Sequence, residues 1–330
     1  MVVLDTAVVL AAGMGRRMGA LSKFYPKPLI PIANRPLIDW VLSSLLDAGL
    51  KRIIVVVGYM GGFVKRHVES AFSYMNVECV YAEDYVKGAG YSLLAAEEYV
   101  SGSFMLSPAD LILDPKIAMR VVNGFLRLGV PLVATGGTGR RGTVISTSEG
   151  RCGSVVSMRR GCGSERVCIG LVALDSSFFK FLRRSLNSGN GSVVSALDLY
   201  VREGGSLGFI DFPGACWFDV DTVTEALRAN SHLLSTGLIP PGCLYIPPGE
   251  EWPPNRGGTG SSTFLGPVLV TPEASVEGSR IGPNVSLSGR VSCENALVLN
   301  AVVFGGCRLK GAVRGGIYFN NMFFGEGSTR

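Results

Sequence analysis

A glycine-containing loop directly after a short apolar run is the feature that most constrains this fold. Ala7–Ala12 is apolar throughout and predicts a buried strand. The overlapping segment Leu10–Met18 reads LAAGMGRRM. Its small residues let backbone N–H groups approach an anion without a Cβ in the way. Together, the apolar run and the glycine loop predict an α/β fold whose first strand ends in a phosphate-binding loop.

Strand and helix patterns alternate after this loop. Helical spacing over Pro36–Gly49 is followed by the β-branched run Arg52–Val57. The alternation continues over Phe63–Phe72, Val77–Ala82, Tyr91–Val100, Ser103–Leu106, Pro115–Leu128 and Pro131–Thr135. It predicts a doubly wound, mostly parallel sheet with helices on both faces. Ligands of such sheets bind outside the carboxyl ends of the strands, where the loop and Asp110 both fall.

A six-residue aliphatic period appears in the last quarter of the chain. Its members are Val285, Val291, Leu297, Val303 and Leu309. This period predicts a left-handed parallel β-helix of about three coils, with three hexads to a coil and each aliphatic residue pointing to the axis. A plain antiparallel sheet is the alternative. We expect an α/β domain over 1–236, a Pro/Gly-rich linker over 237–262 and the β-helix over 263–330.

Charge and histidine content limit the function. The net charge is +5 and is not concentrated in runs, which favours anionic small molecules over nucleic acid. The sequence shows neither a secretory leader nor an apolar stretch long enough to span a membrane. We expect a cytoplasmic protein that binds neither nucleic acid nor membrane. Only His67 and His232 are present, so the chemistry is expected to proceed without histidine.

Eight cysteines are present, and none has the CxxC spacing of a zinc site. Buried thiols are the favoured interpretation. Disulfides would fit a cytosolic protein only in a hyperthermophile. Cys152 and Cys162, which flank a Gly/Arg-rich turn, are then the first candidate pair.

Two nucleotide-binding classes fail on specific positions of the loop. A dinucleotide-binding loop needs glycine where Met18 stands, and an acid at the end of the second strand, where Gly58 stands. A Walker loop needs Gly-Lys-Ser/Thr, which is absent. What sets this loop apart is the combination of its glycines with Arg16 and Arg17, and with Lys27 held between two prolines.

The stretch Val8–Leu29 resembles the signature of the sugar-phosphate nucleotidyltransferases, in which LAxGxGxRL precedes a PK-led apolar segment. Here the two parts read LAAGMGRRM and PKPLIPI. The resemblance covers Val3–Leu234 and extends to the β-helix, which several relatives carry. It implies a Rossmann-like nucleotidyltransferase fold. It also implies an enzyme that transfers a nucleotidyl group from an NTP to a sugar- or polyol-phosphate, with release of pyrophosphate.

The resemblance also assigns roles to residues. It implies that Arg17 contacts the triphosphate, that Lys27 stabilises charge on the α-phosphate, and that Asp110 is a catalytic metal ligand. Arg16 is expected to be a neighbour of the phosphates. The nucleotide-binding residues implied are Leu10, Ala11, Ala12, Gly13, Met14, Gly15, Arg16, Gly88 and Ala89.

A magnesium site is implied by three carboxylates. Asp110 stands in Pro-Ala-Asp, where the family has Gly-Asp, and Asp219 aligns with the second metal aspartate after a tryptophan. Asp221 is the substitute for Asp219, since residues two apart share a face of a strand. Two carboxylates with substrate phosphates suit Mg²⁺. Asp221 and Thr222 could alternatively cap the following helix.

The acceptor side departs from the family pattern. Gly142, Arg160 and Gly170 are the implied acceptor-binding residues, whereas the usual Glu-Lys-Pro element is missing. GAGYSL over 88–93 and DVDT over 219–222 look similar to CTP:inositol-1-phosphate cytidylyltransferases of thermophiles, which also lack that element. Inositol-1-phosphate is therefore an alternative acceptor. We expect a homo-oligomer formed through the β-helix, where Phe319, Phe323 and Phe324 could cover a coil end.

Other function classes stay open. A relative could keep this fold as a non-catalytic regulatory or assembly subunit, although the presence of Arg17, Lys27, Asp110 and Asp219 argues against it. A β-helix acyltransferase is disfavoured because the short repeat region holds no histidine to act as a base.

Overall fold

The computed structural model describes residues 3–137, 142–147, 155–161, 166–252 and 262–325. Its contacts divide the chain into two compact units. The first consists of Met1–Met14 and Ile38–Asp219, and the second of Gly15–Leu37 and Val220–Arg330. The chain first passes from one unit to the other between Met14 and Gly15, within the glycine loop. The predicted boundaries at 236 and 262 stay a prediction about domains.

Seven α-helices and 23 strands are found in the described residues. The helices are α1 (Leu37–Asp47), α2 (Gly61–Ala71), α3 (Ala89–Leu94), α4 (Pro115–Leu128), α5 (Phe178–Asn187), α6 (Val193–Arg202) and α7 (Val223–Thr236). The first thirteen strands are β1 (Thr6–Ala11), β2 (Pro31–Ile32), β3 (Arg35–Pro36), β4 (Arg52–Val57), β5 (Asn76–Tyr81), β6 (Ser103–Pro108), β7 (Leu111–Leu113), β8 (Leu132–Thr135), β9 (Gly142–Thr147), β10 (Val155–Gly161), β11 (Arg166–Asp175), β12 (Gly208–Asp211) and β13 (Trp217–Asp219). The others are β14 (Leu244–Ile246), β15 (Glu251–Trp252), β16 (Thr263–Leu265), β17 (Val268–Val270), β18 (Ser275–Glu277), β19 (Arg280–Ile281), β20 (Val285–Ser288), β21 (Ser292–Phe304), β22 (Arg308–Phe319) and β23 (Met322–Phe324).

The first unit is built on a mixed sheet. Its strand order is β10-β9-β11-β6-β1-β4-β5, and β12 joins through β8 to β11. β1 runs parallel to β4 and β6, and β4 runs parallel to β5. β11 is antiparallel to β6, β8 and β9. The prediction of a mostly parallel sheet is therefore right for the half that ends at β6, whereas beyond it the sheet is mixed, since β11 is antiparallel to its neighbours and β12 is parallel to β8.

Local signals define the elements of this unit well. α4 begins after Asp114, whose side chain accepts a hydrogen bond from the Lys116 N–H, and ends before Gly129, which is left-handed at φ 66°. These are an N-cap and a C′ glycine, and they set both ends of a helix predicted over the same residues. The apolar runs β1 and β4 are buried, as expected of strands covered on both faces.

The second unit contains stacked parallel strands. Thr263 pairs with Arg280, Val285 with Ala301 and Ala301 with Gly316, so the step between coils falls from 17 to 16 to 15 residues. A buried aliphatic cluster fills the space enclosed by the strands. These features are consistent with a β-helix. The coils are shorter than the 18 residues that three hexads would give.

The shorter coils displace one predicted core residue. Val285, Val291, Val303 and Leu309 are buried as the six-residue period predicts. Leu297 is only half-buried, and its neighbours Ala296 and Val298 face the core instead. The ladder shifts register between Cys293 and Ala296, next to the left-handed Asn295 (φ 49°). The assignment of Leu297 to the axis was therefore wrong.

Segment 15–37 and helix α7 pack with the coils inside the second unit. The Asn230 side-chain oxygen on α7 accepts hydrogen bonds from the Ala33 N–H (2.9 Å) and the Ser286 hydroxyl (2.7 Å). The Asn34 side-chain amide donates to the Leu287 carbonyl oxygen at 3.0 Å. The Tyr25 ring lies 4.9 Å from that of Phe319. Segment 15–37 is thus held by the coils and by α7.

Three further sequence predictions concern the linker, the cysteines and membrane-spanning helices. The predicted linker includes β14 and β15, while residues 253–261 lie outside the described ranges. Cys152 and Cys162 also lie outside them, so their pairing stays a prediction, and the other six cysteines, all in the described ranges, form no disulfide. None of the helices in the described part of the chain combines the length and apolar character that a membrane crossing requires.

Candidate active site

The carboxyl ends of β1 and β6 lie side by side in the first unit. Leu10 is the register partner of Pro108, and the Ala109 N–H donates to the Leu10 carbonyl oxygen at 3.1 Å. The Ala12 carbonyl oxygen accepts from the Tyr59 N–H at 3.0 Å. These bonds fix the start of the glycine loop next to the segment that carries Asp110. A Cβ added at Gly13 would meet no heavy atom of the described residues within 4 Å, so this part of the loop is open.

Gly58 stands where a dinucleotide-binding protein would carry its acid, and packing explains the glycine. A Cβ at Gly58 would lie 2.7 Å from the Tyr85 ring and 2.9 Å from the Ala12 Cβ. The end of β4 therefore has no room for a carboxylate side chain. This agrees with the exclusion of a dinucleotide site from the sequence.

Two of the predicted metal ligands come together in the first unit. β7 pairs antiparallel with β13, and Leu111 is the partner of Asp219. The carboxylates of Asp110 and Asp219 offer oxygen atoms within 4.8 Å of each other. Trp217 is buried and anchors β13, whereas Asp219 is exposed. Paired oxygen donors of this kind fit a hard divalent cation, which offsets the repulsion between the two charges.

The Gly88 segment is a tight backbone contact at the start of α3. Gly88 has a φ of 132°, and a Cβ there would lie 2.5 Å from the Gly191 carbonyl oxygen. The Gly90 N–H donates to that same oxygen at 2.8 Å. Ala89 between them is exposed. The neighbouring Lys87 is exposed, and its hydrogen bond and charge interaction with Asp84 raise its pKa, so it stays cationic beside this segment.

The predicted acceptor residues lie on three adjacent strands. Gly170 in β11 has a φ of 111°, and a Cβ there would lie 3.2 Å from Cγ of Pro108, just before Asp110. Gly142 in β9 is paired with Gly161 of β10. The side chain of Arg160 lies outside the described part of the structure. The structure thus brings Gly170, but not Gly142, against the strand end that precedes Asp110.

Sequence reasoning missed a polar network at the end of β8 and β12. The Asp211 carboxylate accepts a hydrogen bond from the Thr135 hydroxyl at 3.0 Å and from Nε of Arg166 at 3.3 Å. The Arg166 guanidinium also lies 5.0 Å from the centre of the Phe209 ring. The sequence signal that could have revealed this network is an acid, Asp211, at the end of an apolar strand. Its partners come from distant strands, so spacing alone does not reveal them.

Arg17, Lys27 and Asp221 form a cluster in the second unit. Nζ of Lys27 donates to Oδ1 of Asp221 at 2.6 Å, and Nη2 of Arg17 lies 2.5 Å from Oδ2. The side chains of Lys27 and Asp221 are 8% and 10% exposed, whereas that of Arg17 is 68% exposed. One carboxylate therefore bridges the two cations assigned to the phosphates.

The surrounding backbone holds Lys27 in place. Lys27 opens a 3₁₀ turn over Lys27–Leu29, and its carbonyl oxygen accepts from the Ile30 N–H at 3.1 Å. Gly15 is left-handed (φ 62°), and a Cβ there would lie 2.9 Å from the Lys27 Cβ. The second glycine of the loop thus packs directly on the lysine stem.

Helix α7 fixes Asp221 from the other side. Thr222 is its N-cap, and Glu225 completes a capping box. The Glu225 carboxylate accepts from the backbone N–H groups of both Asp221 and Thr222 at 2.9 Å. The alternative reading, in which this segment caps the helix, is confirmed for Thr222. Asp221 directs its own carboxylate to the cations.

The fold and these sites define a class. Residues 7–183, more than half of the chain, match the model of the MobA-like NTP transferase domain, and the chain belongs to that family. Its enzymes are nucleotidyltransferases, as the resemblance of the glycine loop implies.

Two individual proteins show how similar this chain is to characterised relatives. A bifunctional IPC transferase and DIPP synthase from Aquifex aeolicus is 26% identical over 245 residues, covering 71% of this chain and 53% of that protein. The UTP–glucose-1-phosphate uridylyltransferase AglF of Haloferax volcanii is 26% identical over 216 residues, covering 63% of this chain and 88% of its own length. The chain thus spans about half the length of the bifunctional relative.

Solved structures support the fold. A UDP-glucose pyrophosphorylase complexed with UDP-glucose superposes with a TM-score of 0.61 at 18% identity, covering 70% of this chain and 98% of that one. The first unit therefore has a Rossmann-like nucleotidyltransferase fold with a mixed sheet.

Proposed function

We propose that this chain transfers a nucleotidyl group from an NTP to a sugar- or polyol-phosphate and releases pyrophosphate. The observation that carries the proposal is that Asp110, which follows the end of β6 beside the start of the glycine loop, offers a carboxylate oxygen within 4.8 Å of one of Asp219. Family membership supports the same chemistry.

The reaction is a displacement at phosphorus. A phosphate oxygen of the acceptor forms a bond to the α-phosphorus, and the bond from that phosphorus to the bridging oxygen breaks. Pyrophosphate leaves with the bonding electrons. No general base is needed, because a phosphate monoester with a second pKa of about 6 is mostly dianionic at neutral pH. This fits a chain with two histidines.

The chain's own residues would position the reactants and neutralise charge. Arg17 and Lys27 would face the negative charge that develops on the phosphates. Leu10, Ala11, Ala12, Gly13, Met14 and Gly15 are the proposed nucleotide-binding residues, whose small members let backbone N–H groups approach the triphosphate, with Arg16 as a neighbour. Gly88 and Ala89 would lie against the base. Holding both reactants in line converts an encounter in solution into a reaction within one complex.

Asp110 and Asp219 are the proposed ligands of Mg²⁺. Carboxylate oxygens suit this ion, which keeps several waters and binds through one or two carboxylates with substrate phosphates. When bound, the ion would neutralise charge on the phosphates. Asp221 was predicted as a third or substitute ligand, and its two ion pairs give it a second candidate role.

The acceptor is proposed to be inositol-1-phosphate, with CTP as the donor. The segments GAGYSL and DVDT support this choice, as does the similarity to an IPC transferase. The β10 residues at the place of the missing Glu-Lys-Pro element include no carboxylate that could bind the acceptor hydroxyls, so those hydroxyls would be bound elsewhere. Gly142, Arg160 and Gly170 are the proposed acceptor-binding residues. Glucose-1-phosphate is the second candidate, favoured by the likeness to AglF.

Several finer properties belong to the same proposal. We propose that the coils form a left-handed β-helix built from hexapeptide repeats and that the protein assembles into a homo-oligomer through it. We also propose that the protein comes from a thermophile, that it is cytoplasmic, and that it binds neither nucleic acid nor membrane. Phe323, which is 50% exposed, is the candidate contact residue, because Phe319 and Phe324 are buried.

Pyrophosphate release tests the function. Each NTP is incubated with inositol-1-phosphate, glucose-1-phosphate or mannose-1-phosphate in the presence of Mg²⁺, with acetyl-CoA as a control co-substrate. We expect CTP and inositol-1-phosphate to react fastest. Turnover of the hexose phosphates alone would contradict the inositol proposal. No release with any pair would favour a non-catalytic subunit.

Two substitutions test the assigned residues. Lys27→Ala and Asp110→Asn should each lower turnover at least about a hundredfold, because fixed charges at the transition state are worth several kcal/mol. Lys23→Ala and Asp47→Asn, which change exposed residues of the same types, are the matched controls. Near-normal turnover of either test variant, with its fold intact by circular dichroism, would count against the assignment.

A further inference from the structure

Asp221 has a specific arrangement that a metal ligand does not need. Each of its two carboxylate oxygens contacts a different cation, Oδ1 the Lys27 ammonium and Oδ2 the Arg17 guanidinium. The Lys27 side chain is 8% exposed, so its charge lies almost entirely out of water. A buried charge is strongly destabilising without an opposite charge beside it. Asp221 provides that charge.

The start of helix α7 fixes the position of Asp221. The Glu225 carboxylate accepts from the Asp221 N–H, and Thr222 caps α7 directly after it. Lys27 is fixed by its 3₁₀ turn and by Gly15. A charge pair held from both sides keeps the ammonium in one place, at low cost in entropy when a ligand arrives.

The same two cations are those assigned to the triphosphate. An incoming phosphate must therefore share Arg17 and Lys27 with the Asp221 carboxylate or take them from it. Arg17 is 68% exposed and can turn to a ligand, whereas Lys27 is buried beside its partner. Two anions at contact distance from one cation repel each other. The carboxylate thus lowers anion affinity while it orients the lysine.

We propose that Asp221 is a positioning residue: it is an internal counter-anion that orients Lys27 and Arg17 and competes with the triphosphate for them. This inference rests on the proposed function, since it takes these cations as the phosphate-binding groups. It separates the two aspartates of the DVDT segment. Asp219 is the proposed metal ligand, and Asp221 contacts the two cations.

Pyrophosphate binding without metal tests the proposal directly. Calorimetry in EDTA at pH 7.5 compares wild type with Asp221→Asn, using inorganic pyrophosphate as the probe. We expect Asp221→Asn to bind pyrophosphate about tenfold more tightly, because one competing negative charge is gone and solvent screens part of the gain. Equal or weaker binding by Asp221→Asn, or no measurable binding by either protein, would overturn the proposal.

Magnesium dependence separates the two aspartates. Asp221→Asn should lower kcat at least about tenfold, since Lys27 loses its orientation, while the Mg²⁺ concentration for half-maximal rate stays as in wild type. Asp219→Asn should raise that concentration. An equal rise in Asp221→Asn would show that Asp221 acts mainly through the metal ion and would refute the inference.

A conservative variant keeps the test valid if Asp221→Asn does not fold. Asp221→Glu retains the charge but moves it by one methylene, so it should bind pyrophosphate as wild type does and lose kcat, at an unchanged Mg²⁺ requirement. A raised Mg²⁺ requirement in this variant would again refute the inference. Pyrophosphate binding is scored without turnover. An inactive wild type with the expected binding difference would therefore reject the proposed reaction and leave the counter-anion role standing.

Discussion

The two glycines of the phosphate loop differ in what their missing side chains allow. A Cβ at Gly15 would press on the Lys27 stem at 2.9 Å, and the residue is left-handed at φ 62°. A Cβ at Gly13 would meet no heavy atom within 4 Å in the part of the chain that the structure describes. Gly15 is therefore required by the folded protein itself. Gly13 serves access to the loop.

Alanine substitutions separate these two roles. Gly15→Ala should destabilise the protein by about 1–2 kcal/mol, because an L-residue is strained in the left-handed region and its Cβ displaces Lys27. Gly13→Ala, the matched control, should leave stability within about 0.5 kcal/mol. Urea unfolding followed by circular dichroism measures both. Equal losses in the two variants would show that the contact with Lys27 is unimportant.

Residue types could be predicted at the site, but not all of their partners. Arg17, Lys27 and Asp110 stand out because charged residues follow a glycine loop or an apolar strand. Asp221 contacts Lys27 across 194 positions of sequence, and no local pattern carries such a distance. The meeting of Asp219 with Asp110 likewise depends on the β7–β13 ladder. Long-range pairing decides these contacts.

Elements with strong local signals were the most predictable. α4 has its cap, its proline at the first helical position and its terminal glycine within one stretch of sequence, and its bounds were predicted correctly. The coils were predicted from their period, but the structure shortens them step by step. Left-handed asparagines at 284, 295 and 300 allow the chain to turn with fewer residues. Leu297 therefore does not point to the core, whereas Val285 and Val303 do.

Two leucines of the coils test the observed register. Leu287 is fully buried, and Leu287→Ala should cost about 2–5 kcal/mol through lost burial and a cavity. Leu297→Ala should cost clearly less, because this side chain is only half-buried. Both are measured as urea unfolding midpoints of the full chain. A larger loss of stability for Leu297→Ala would support the strict six-residue period, in which Leu297 points to the axis.

At the scale of the whole molecule, each unit contains a thiol that resists ionisation. Burial raises the pKa of Cys79 in β5 to about 11, with the charge of Glu69 as a smaller cause. Burial raises the pKa of Cys293 in β21 to about 12, aided by Cys307. Their ordinary value in the unfolded chain is about 9. The unfolded state therefore releases these protons first as the pH rises.

Stability should accordingly fall in alkaline solution. The contribution of these thiols is complete below pH 9 and is lost as the pH rises toward about 11 for Cys79 and about 12 for Cys293. In the double variant Cys79→Ala/Cys293→Ala, the urea midpoint should fall less steeply between pH 9 and 11 than in wild type. The variant of exposed Cys216, Cys216→Ala, should match wild type. Parallel curves for wild type and the double variant would contradict this linkage.

The sharing of segment Gly15–Leu37 with the coils has a consequence for how such a chain can change in evolution. The lysine and arginine assigned to the phosphates belong to the same compact unit as the repeats. Hydrogen bonds of Asn34 and Asn230 link parts of that unit. Gain or loss of a coil would be felt at Lys27 through these bonds. A change in the number of coils would therefore have to preserve these bonds if segment 15–37 is to keep its place.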